Sequence, residues 1–375
     1  MSGSSWQPAL GGIACAALGA MLAVLALTSS QTSSATLSLA SLDATSRDNS
    51  TRLFAPAELE RSYRDDGCVS ALERSFEAGL KSSWHSFSGW RNAFGAPGDA
   101  VRVCASKTSS SQCPPGESLD DLGLRFEHLS WVRSRGAEAL RVRPANASSV
   151  VVAIHGGGFV SFSAASYYAP RLAGTAARLG AAVYLPEYGL APKATGADAV
   201  DEAEAILDLA IEEHPNAKIV LFGDSAGGAV AASLAIRAAK RGVAVALQVL
   251  VAPMLAASDW GRFASYCNRS DHAFASSVVT TPPGLAYVWG ARAQGREHAR
   301  FSADFSPFDA SDDELAGVAP ALIVASTDDV LVDEARLYAD RLGARYVEYA
   351  DLQHDPILRS RPVWEAAMRD ALATS

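Results

Sequence analysis

The chain has 375 residues, of which 49% are hydrophobic and 8% aromatic, and its formal net charge is −9. That length supports a substantial buried core. The acidic balance and the lack of any basic cluster exclude nucleic acid as an expected partner. No metal-ligand spacing links His85, His128, His214, His272 and His298, which read as surface or supporting residues, so no metal and no cofactor is expected.

Residues 1–8 form a short tail without Lys or Arg. Ala9 to Leu27 then runs for nineteen residues without a charge. A helix needs about 20 apolar residues to cross a bilayer, whereas the apolar region of a cleavable signal has about 7–15. The length therefore points to a signal anchor over 9–27 in a single-pass type II membrane protein, with the following domain in the secretory-pathway lumen. Cleavage near SSA (33–35) or SLA (38–40), giving a secreted protein, is the alternative. Residues 28–51 are Ser/Thr-rich and read as a linker, and 52–375 as the globular domain. Helical patterning over 53–95 carries Trp84, Phe87, Trp90 and Phe94.

Cys15 lies in the apolar run, which leaves Cys68, Cys104, Cys113 and Cys267, an even number compatible with two disulfides. Cys104 and Cys113 bracket a polar loop and look like a local pair, leaving Cys68 with Cys267. Sequons stand at Asn49, Asn146 and Asn268. With the apolar leader they suggest a lumenal or extracellular domain; free cysteines in a cytosolic protein are the alternative.

Further along, SSVVVAIHGGGF (148–159) is a buried-strand pattern running into three glycines. Helical patterns follow at 166–179 and 198–213. KIVLFGDSAGG (218–228) is a strand that stops at Gly223-Asp224-Ser225-Ala226-Gly227, with a helix at once behind it over 226–241. PALIVASTDD (320–329) is a strand ending in two acids, a helix covers 333–342, RYVEYADLQHD (345–355) is a strand ending shortly before His354, and a helix covers 361–373. Strands separated by helices argue for an α/β fold with a mostly parallel sheet and helices on both faces. No internal repeat is present.

Those strand ends carry a consistent chemistry. A G-x-S-x-G turn between strand and helix holds a serine in a strained conformation with its hydroxyl exposed. A serine hydroxyl needs a base to take its proton, and the base needs a carboxylate to orient it. In hydrolases with this turn the partners follow in the order Ser, Asp or Glu, His. Ser225, the acids at 328 and 329, and His354 stand in that order, each after its own strand. The glycines at 156–158 expose backbone N–H groups of the kind that receive an oxyanion.

HGGGF, YGLAP (188–192), GDSAGG and DDVLVDEARLYADRL (328–342) resemble the hormone-sensitive-lipase group of α/β-hydrolases, the carboxylesterase relatives of arylacetamide deacetylase, over roughly residues 120–375. The resemblance implies Ser225 as nucleophile, His354 as base and Asp329 as acid, with oxyanion donors at Gly157, Gly158 and Ala226. The acid follows from aligning the family's D-P-L-x-D-E on Asp333-Glu334; Val330 stands where the family has Pro, which leaves Asp328 as a competitor. Two further departures are YGLAPK where the family reads Y-R-L-A-P-E, and Pro356 where an aromatic residue is usual. His155 reads as bracing its loop, and Glu187 and Asp224 as loop-bracing or exposed carboxylates.

The resemblance also implies a helical cap, here from about 52–100 and 257–310. The cap's Trp260, Phe263, Tyr266, Phe274, Tyr287 and Trp289 read either as core or as pocket lining. An apolar cap implies a small hydrophobic ester as substrate, with short- to medium-chain acyl groups. Two alternatives stay open. One is hydrolysis of arylamides or formamides by the same residues. The other is a non-catalytic ligand-binding protein on this scaffold, as in the plant gibberellin receptors, against which His354 argues.

Overall fold

Unbroken runs of Val, Ile, Leu and Ala suit strands buried on both faces, and such runs form the centre of this molecule. The computed structural model describes residues 46–48, 66–81, 129–164, 169–267, 281–350, 352–354, 357 and 359–373. In chain order the elements are β1 (Ser46–Asp48), α1 (Asp66–Leu80), β2 (Leu129–Ser134), β3 (Ala137–Val142), β4 (Ser149–Ile154), α2 (Ala169–Leu179), β5 (Ala181–Pro186), α3 (Asp198–Glu213), β6 (Lys218–Asp224) and α4 (Ala226–Lys240). They continue with β7 (Leu247–Val251), α5 (Pro282–Ala293), β8 (Ala321–Ser326), α6 (Val332–Leu342), β9 (Arg345–Tyr349) and α7 (Arg361–Ala373).

The nine strands form one sheet in the order β1-β9-β8-β7-β6-β4-β5-β3-β2. The six strands from β9 to β5 are parallel, and every residue of β4, β5, β7 and β8 is buried. At one end β2 and β3 make an antiparallel hairpin. Its two-residue turn, Arg135-Gly136, has positive φ at both positions (48° and 88°), as a right-twisted hairpin requires.

Side-chain alternation along the strands divides the core between the sheet's two faces. Val150, Val152 and Ile154 of β4 join the cluster containing Ile206 of α3, Leu234 of α4 and Tyr338 of α6. Val151 and Ala153 point the other way, into the cluster with Leu172 of α2 and Trp364 and Met368 of α7.

A second helical layer adds to the first of these clusters. Helices α1 and α5 cross with almost no space between them. A Cβ on Gly79 would lie 2.1 Å from the Tyr287 carbonyl oxygen, and one on Gly290 would lie 2.0 Å from that of Phe76. Cys68 of α1 is disulfide-bonded to Cys267, which ends a one-turn helix at Ala264–Cys267. Phe76 packs against Trp260 with ring centroids 6.1 Å apart, and Arg300 lies over both rings while pairing with Glu73 at 2.8 Å.

Two expectations need adjusting here. The Ser/Thr-rich segment 28–51 reads as a linker throughout, yet Ser46–Asp48 pairs antiparallel with β9 as an edge strand. The free edge of β9 offers unpaired backbone groups to any extended stretch that reaches it. Helical patterning over 53–95 yields α1 at 66–80, while Trp84, Phe87, Trp90 and Phe94 lie outside the described residues. Also outside them are the expected anchor at 9–27, Asn49, Asn268, Cys104, Cys113 and Phe274. Among the described residues, no helix is long and apolar enough to cross a membrane.

Candidate active site

The parallel strands finish in register. Ile154 of β4 pairs with Gly223 of β6, Asp224 with Val251 of β7, Val251 with Val324 of β8, and Ser326 with Tyr349 of β9. The loops after these five strands therefore leave the same edge of the sheet, at the carboxyl ends where open α/β sheets carry their sites.

At the centre, the chain turns from β6 into α4 through Ser225 alone, which takes φ 52° and ψ −122°. Such a conformation costs a non-glycine residue on the order of 1–3 kcal/mol. Packing holds it in place. A Cβ on Gly223 would sit 2.2 Å from the Gly227 carbonyl oxygen, and one on Gly227 would sit 2.1 Å from that of Ile154, so neither position accepts a side chain. The Ser225 N–H donates to Val251 O at 2.9 Å, and Ser225 O accepts from the Met254 N–H at 2.9 Å.

His354, on the loop after β9, reaches both partners. Its Nε2 lies 2.9 Å from Ser225 Oγ and its Nδ1 lies 2.9 Å from Asp329 Oδ2. A carboxylate can only accept, so the ring proton belongs on Nδ1, and Nε2 is left to accept from the serine hydroxyl. Asp329 is 1% exposed, and its other oxygen accepts the Leu331 N–H at 3.1 Å. Asp328 faces elsewhere: its carboxylate accepts from the Thr327 hydroxyl at 3.4 Å and its N–H donates to Leu352 O at 3.1 Å.

The glycine loop after β4 lies directly against the serine. A Cβ on Gly156 would come within 3.1 Å of Ser225 Cβ and 2.7 Å of Asp224 Oδ2. Gly157 takes φ 111°, open only to glycine, and its carbonyl oxygen accepts from the N–H of Val160 and from both the N–H and hydroxyl of Ser161. The N–H groups of Gly157 and Gly158 have no acceptor among the described residues. Ala226 opens α4, where first-turn N–H groups have no acceptor within the helix.

Buried side chains hold this loop. His155 donates from Nδ1 to Gly156 O at 2.7 Å, and the Tyr188 hydroxyl donates to His155 O at 2.8 Å. Burial pushes the Tyr188 phenol well above its ordinary pKa, and the nearby Asp224 charge pushes it further, so Tyr188 remains a donor at neutral pH. Glu187 accepts the Ala164 N–H at 2.8 Å. Beneath Phe159, the buried Arg292 of α5 lies over the rings of Phe159 and Phe305 at 4.1 and 4.5 Å. It donates to Gly196 O and Phe305 O at 3.1 and 3.0 Å. Burial pulls its guanidinium down to about 9, which still leaves it charged at neutral pH.

Tyr188 sits in the quoted YGLAP motif, and Arg292 in a helix with no marked pattern. Neither role follows from local sequence, because each rests on a contact between distant segments. Of the cap aromatics, Trp260, Phe263, Tyr266 and Trp289 are buried in the core, and Tyr287 is half-buried. Asn146 is exposed in the turn before β4. Among the described residues no cluster of His, Cys, Asp and Glu could hold a metal ion.

Known proteins share this arrangement of strands and loops. Residues 151–355 match the family model described as α/β-hydrolase fold. Hormone-sensitive lipase from Bos taurus is 39% identical over 129 residues, 32% of this chain, but the match spans only 17% of that protein's length. The putative acetyl-hydrolase LipR of Mycobacterium tuberculosis is 28% identical over 67% of this chain and 79% of its own. Among solved structures, the hyperthermophilic esterase from the archaeon Pyrobaculum calidifontis superimposes with a TM-score of 0.60, covering 78% of this chain and 95% of its own at 24% identity, a likeness of fold. On its sheet, its loops and these relatives, the chain belongs to the α/β-hydrolase fold family, in the branch of hormone-sensitive lipase.

Proposed function

We propose that this protein is a serine hydrolase of carboxylic esters. The observation that carries the reading is His354 standing at 2.9 Å from both Ser225 Oγ and Asp329 Oδ2. Ser225 Oγ attacks the acyl carbon as its proton passes to Nε2 of His354. Asp329 holds the ring and stabilises the imidazolium that forms. The carbonyl oxygen becomes an oxyanion and is received by the N–H groups of Gly157, Gly158 and Ala226. One such donor is worth about 3–4 kcal/mol of transition-state stabilisation. Collapse expels the alcohol, protonated by His354, and water then releases the acid by the same steps in reverse.

The substrate reading is a short- to medium-chain ester of a hydrophobic alcohol. It is supported by the apolar character of the helical layer next to the site, where Trp289 of α5 packs on Phe159 with centroids 5.0 Å apart. We further place the domain in the secretory lumen behind an anchor at 9–27. The exposed Asn146 sequon and the Cys68–Cys267 disulfide support that placement.

The test is a series of p-nitrophenyl esters from acetate to palmitate, run on wild type and Ser225→Ala. Acetyl to hexanoyl esters should turn over well and palmitate poorly, and Ser225→Ala should lose about 10⁶ in rate while staying folded. An organophosphate should label Ser225 in the wild type alone. Activity retained by Ser225→Ala overturns the mechanism. Rates rising through palmitate would mark a lipase instead, and preference for an arylamide would mark an amidase.

A further inference from the structure

The acid of the site is held from an unexpected side. Leu331 N–H donates to Asp329 Oδ1 at 3.1 Å, which leaves Oδ2 aimed at His354 Nδ1. That N–H belongs to the Val330–Leu331 peptide, so the orientation of one peptide plane sets the orientation of the carboxylate. The carbonyl at the opposite side of the same plane, Val330 O, accepts a hydrogen bond of 2.6 Å from the hydroxyl of Ser265. Ser265 is itself fixed, because its backbone N–H donates to Asp333 Oδ2 at 2.7 Å. Asp333 in turn pairs with Arg336 at 3.2 Å, and Arg336 with Glu348 of β9 at 2.7 Å. The serine is 4% exposed, so water does not compete for these bonds.

Position 330 is where this matters. Valine leaves φ free, so the orientation of the Val330–Leu331 peptide plane is not fixed by the chemistry of residue 330. Ser265 comes from the one-turn helix that the Cys68–Cys267 disulfide ties to α1, a segment 65 residues away in sequence.

We propose that Ser265 is a positioning residue for Asp329, fixing the peptide plane that aims the carboxylate at His354. The proposal rests on the esterase reading only for its kinetic arm. Its other arm is spectroscopic: the Nδ1–H of His354 shared with Asp329 should give a far-downfield proton resonance whatever the enzyme turns over.

The experiment compares wild type, Ser265→Ala and Ser265→Thr in full-length protein. In Ser265→Ala the resonance should broaden or vanish, and kcat on p-nitrophenyl butyrate should fall about tenfold, the effect of losing one buried hydrogen bond. KM should stay within about twofold, since no substrate contact is removed. Ser265→Thr keeps the hydroxyl and should restore both readouts. Ser265→Gly, which keeps the backbone bond to Asp333, is the second variant if alanine does not fold. An unchanged resonance in the alanine or glycine variant overturns the proposal, whether kcat moves or not. A rise in KM with the resonance intact also overturns it, because the serine would then act through the cap alone. A wild type that hydrolyses no ester would refute the esterase reading, and the resonance would still decide this one.

Discussion

The ring of Tyr188 lies flat on that of His155, with centroids 4.2 Å apart and 16° between the planes, and its hydroxyl donates to the carbonyl of the same residue at 2.8 Å. One side chain thus fixes both the ring and the backbone at the point where β4 becomes the glycine loop. A second, longer contact reaches Gly156 O at 3.3 Å. The stack survives replacement by phenylalanine and the hydrogen bond does not. Tyr188→Phe should therefore cost about 1–2 kcal/mol of stability, the usual loss for a buried hydroxyl whose partner is left unsatisfied. If the loop presents oxyanion donors, kcat should fall about tenfold with little change in KM. Denaturant unfolding and steady-state kinetics on the purified variant check both. A variant as stable and as fast as wild type would show that the stack alone holds the loop.

The two adjacent acids make a sharp comparison. Asp329 Oδ2 meets His354 Nδ1 at 2.9 Å, while the carboxylate of Asp328 meets the Thr327 hydroxyl. Asp329→Asn should cut turnover by about 10⁴, because the amide no longer favours the tautomer with its proton on Nδ1. Asp328→Asn should leave turnover within about tenfold, since its carboxylate is not the one that meets His354 Nδ1. The opposite ranking in kcat/KM would move the acid by one residue.

Much of this site was legible because its parts are local. A strand, a turn built from small residues and a helix follow one another within a dozen positions around Ser225, and helices read at 198–213, 333–342 and 361–373 match α3, α6 and α7 to within a residue. The supports were not legible for a physical reason. Ser265, Tyr188 and Arg292 all act on backbone carbonyl oxygens, and a carbonyl has no residue identity to pair with in a sequence. The edge strand β1 was hidden in another way: Ser-Arg-Asp has no strand pattern, and pairing with β9 defines it. The Arg135-Gly136 hairpin turn was readable but had no chemistry to draw the eye.

Glu334 links the two halves of the site and should set part of the pH dependence of stability. Its carboxylate accepts the N–H groups of Leu255 and Ala256 at 2.9 and 3.1 Å, just after Met254 has donated to Ser225 O. Burial pushes its carboxyl well above the ordinary carboxylate range, against the pull of those two donors, and the charges of Asp329 and Asp309 push it further. The folded protein therefore keeps this proton to a higher pH than the unfolded chain does. The stabilisation is complete below the unfolded value and is lost as pH rises through the folded one. Glu334→Gln has no proton to lose. As pH rises above the ordinary carboxylate range, the stability of wild type minus that of the variant should decline. Denaturant midpoints at four or five pH values suffice, and a flat difference would place the ionised carboxylate in the folded state throughout.

The Cys68–Cys267 bond should supply much of what holds α1 to the rest of the molecule, because it joins residues 199 apart in sequence. In the chain-entropy account, closing a loop of that length lowers the free energy of folding by about 5 kcal/mol, the upper end of what single disulfides give. The other attachments of α1 are of a different kind. They include the glycine crossing with α5, the Phe76 ring against Trp260, the Gln294 side chain donating to Leu80 O at 2.8 Å, and the Glu73–Arg300 pair. Half-exposed ion pairs contribute about 0–1 kcal/mol, so the packing and the bond carry the helix. A Cys68→Ser, Cys267→Ser double variant should unfold at lower denaturant, with a loss of about 3–5 kcal/mol. Wild type treated with reductant should lose at least as much. If the double variant matches oxidised wild type in stability, the α1–α5 packing by itself orders this part of the chain, and the bond adds nothing in solution.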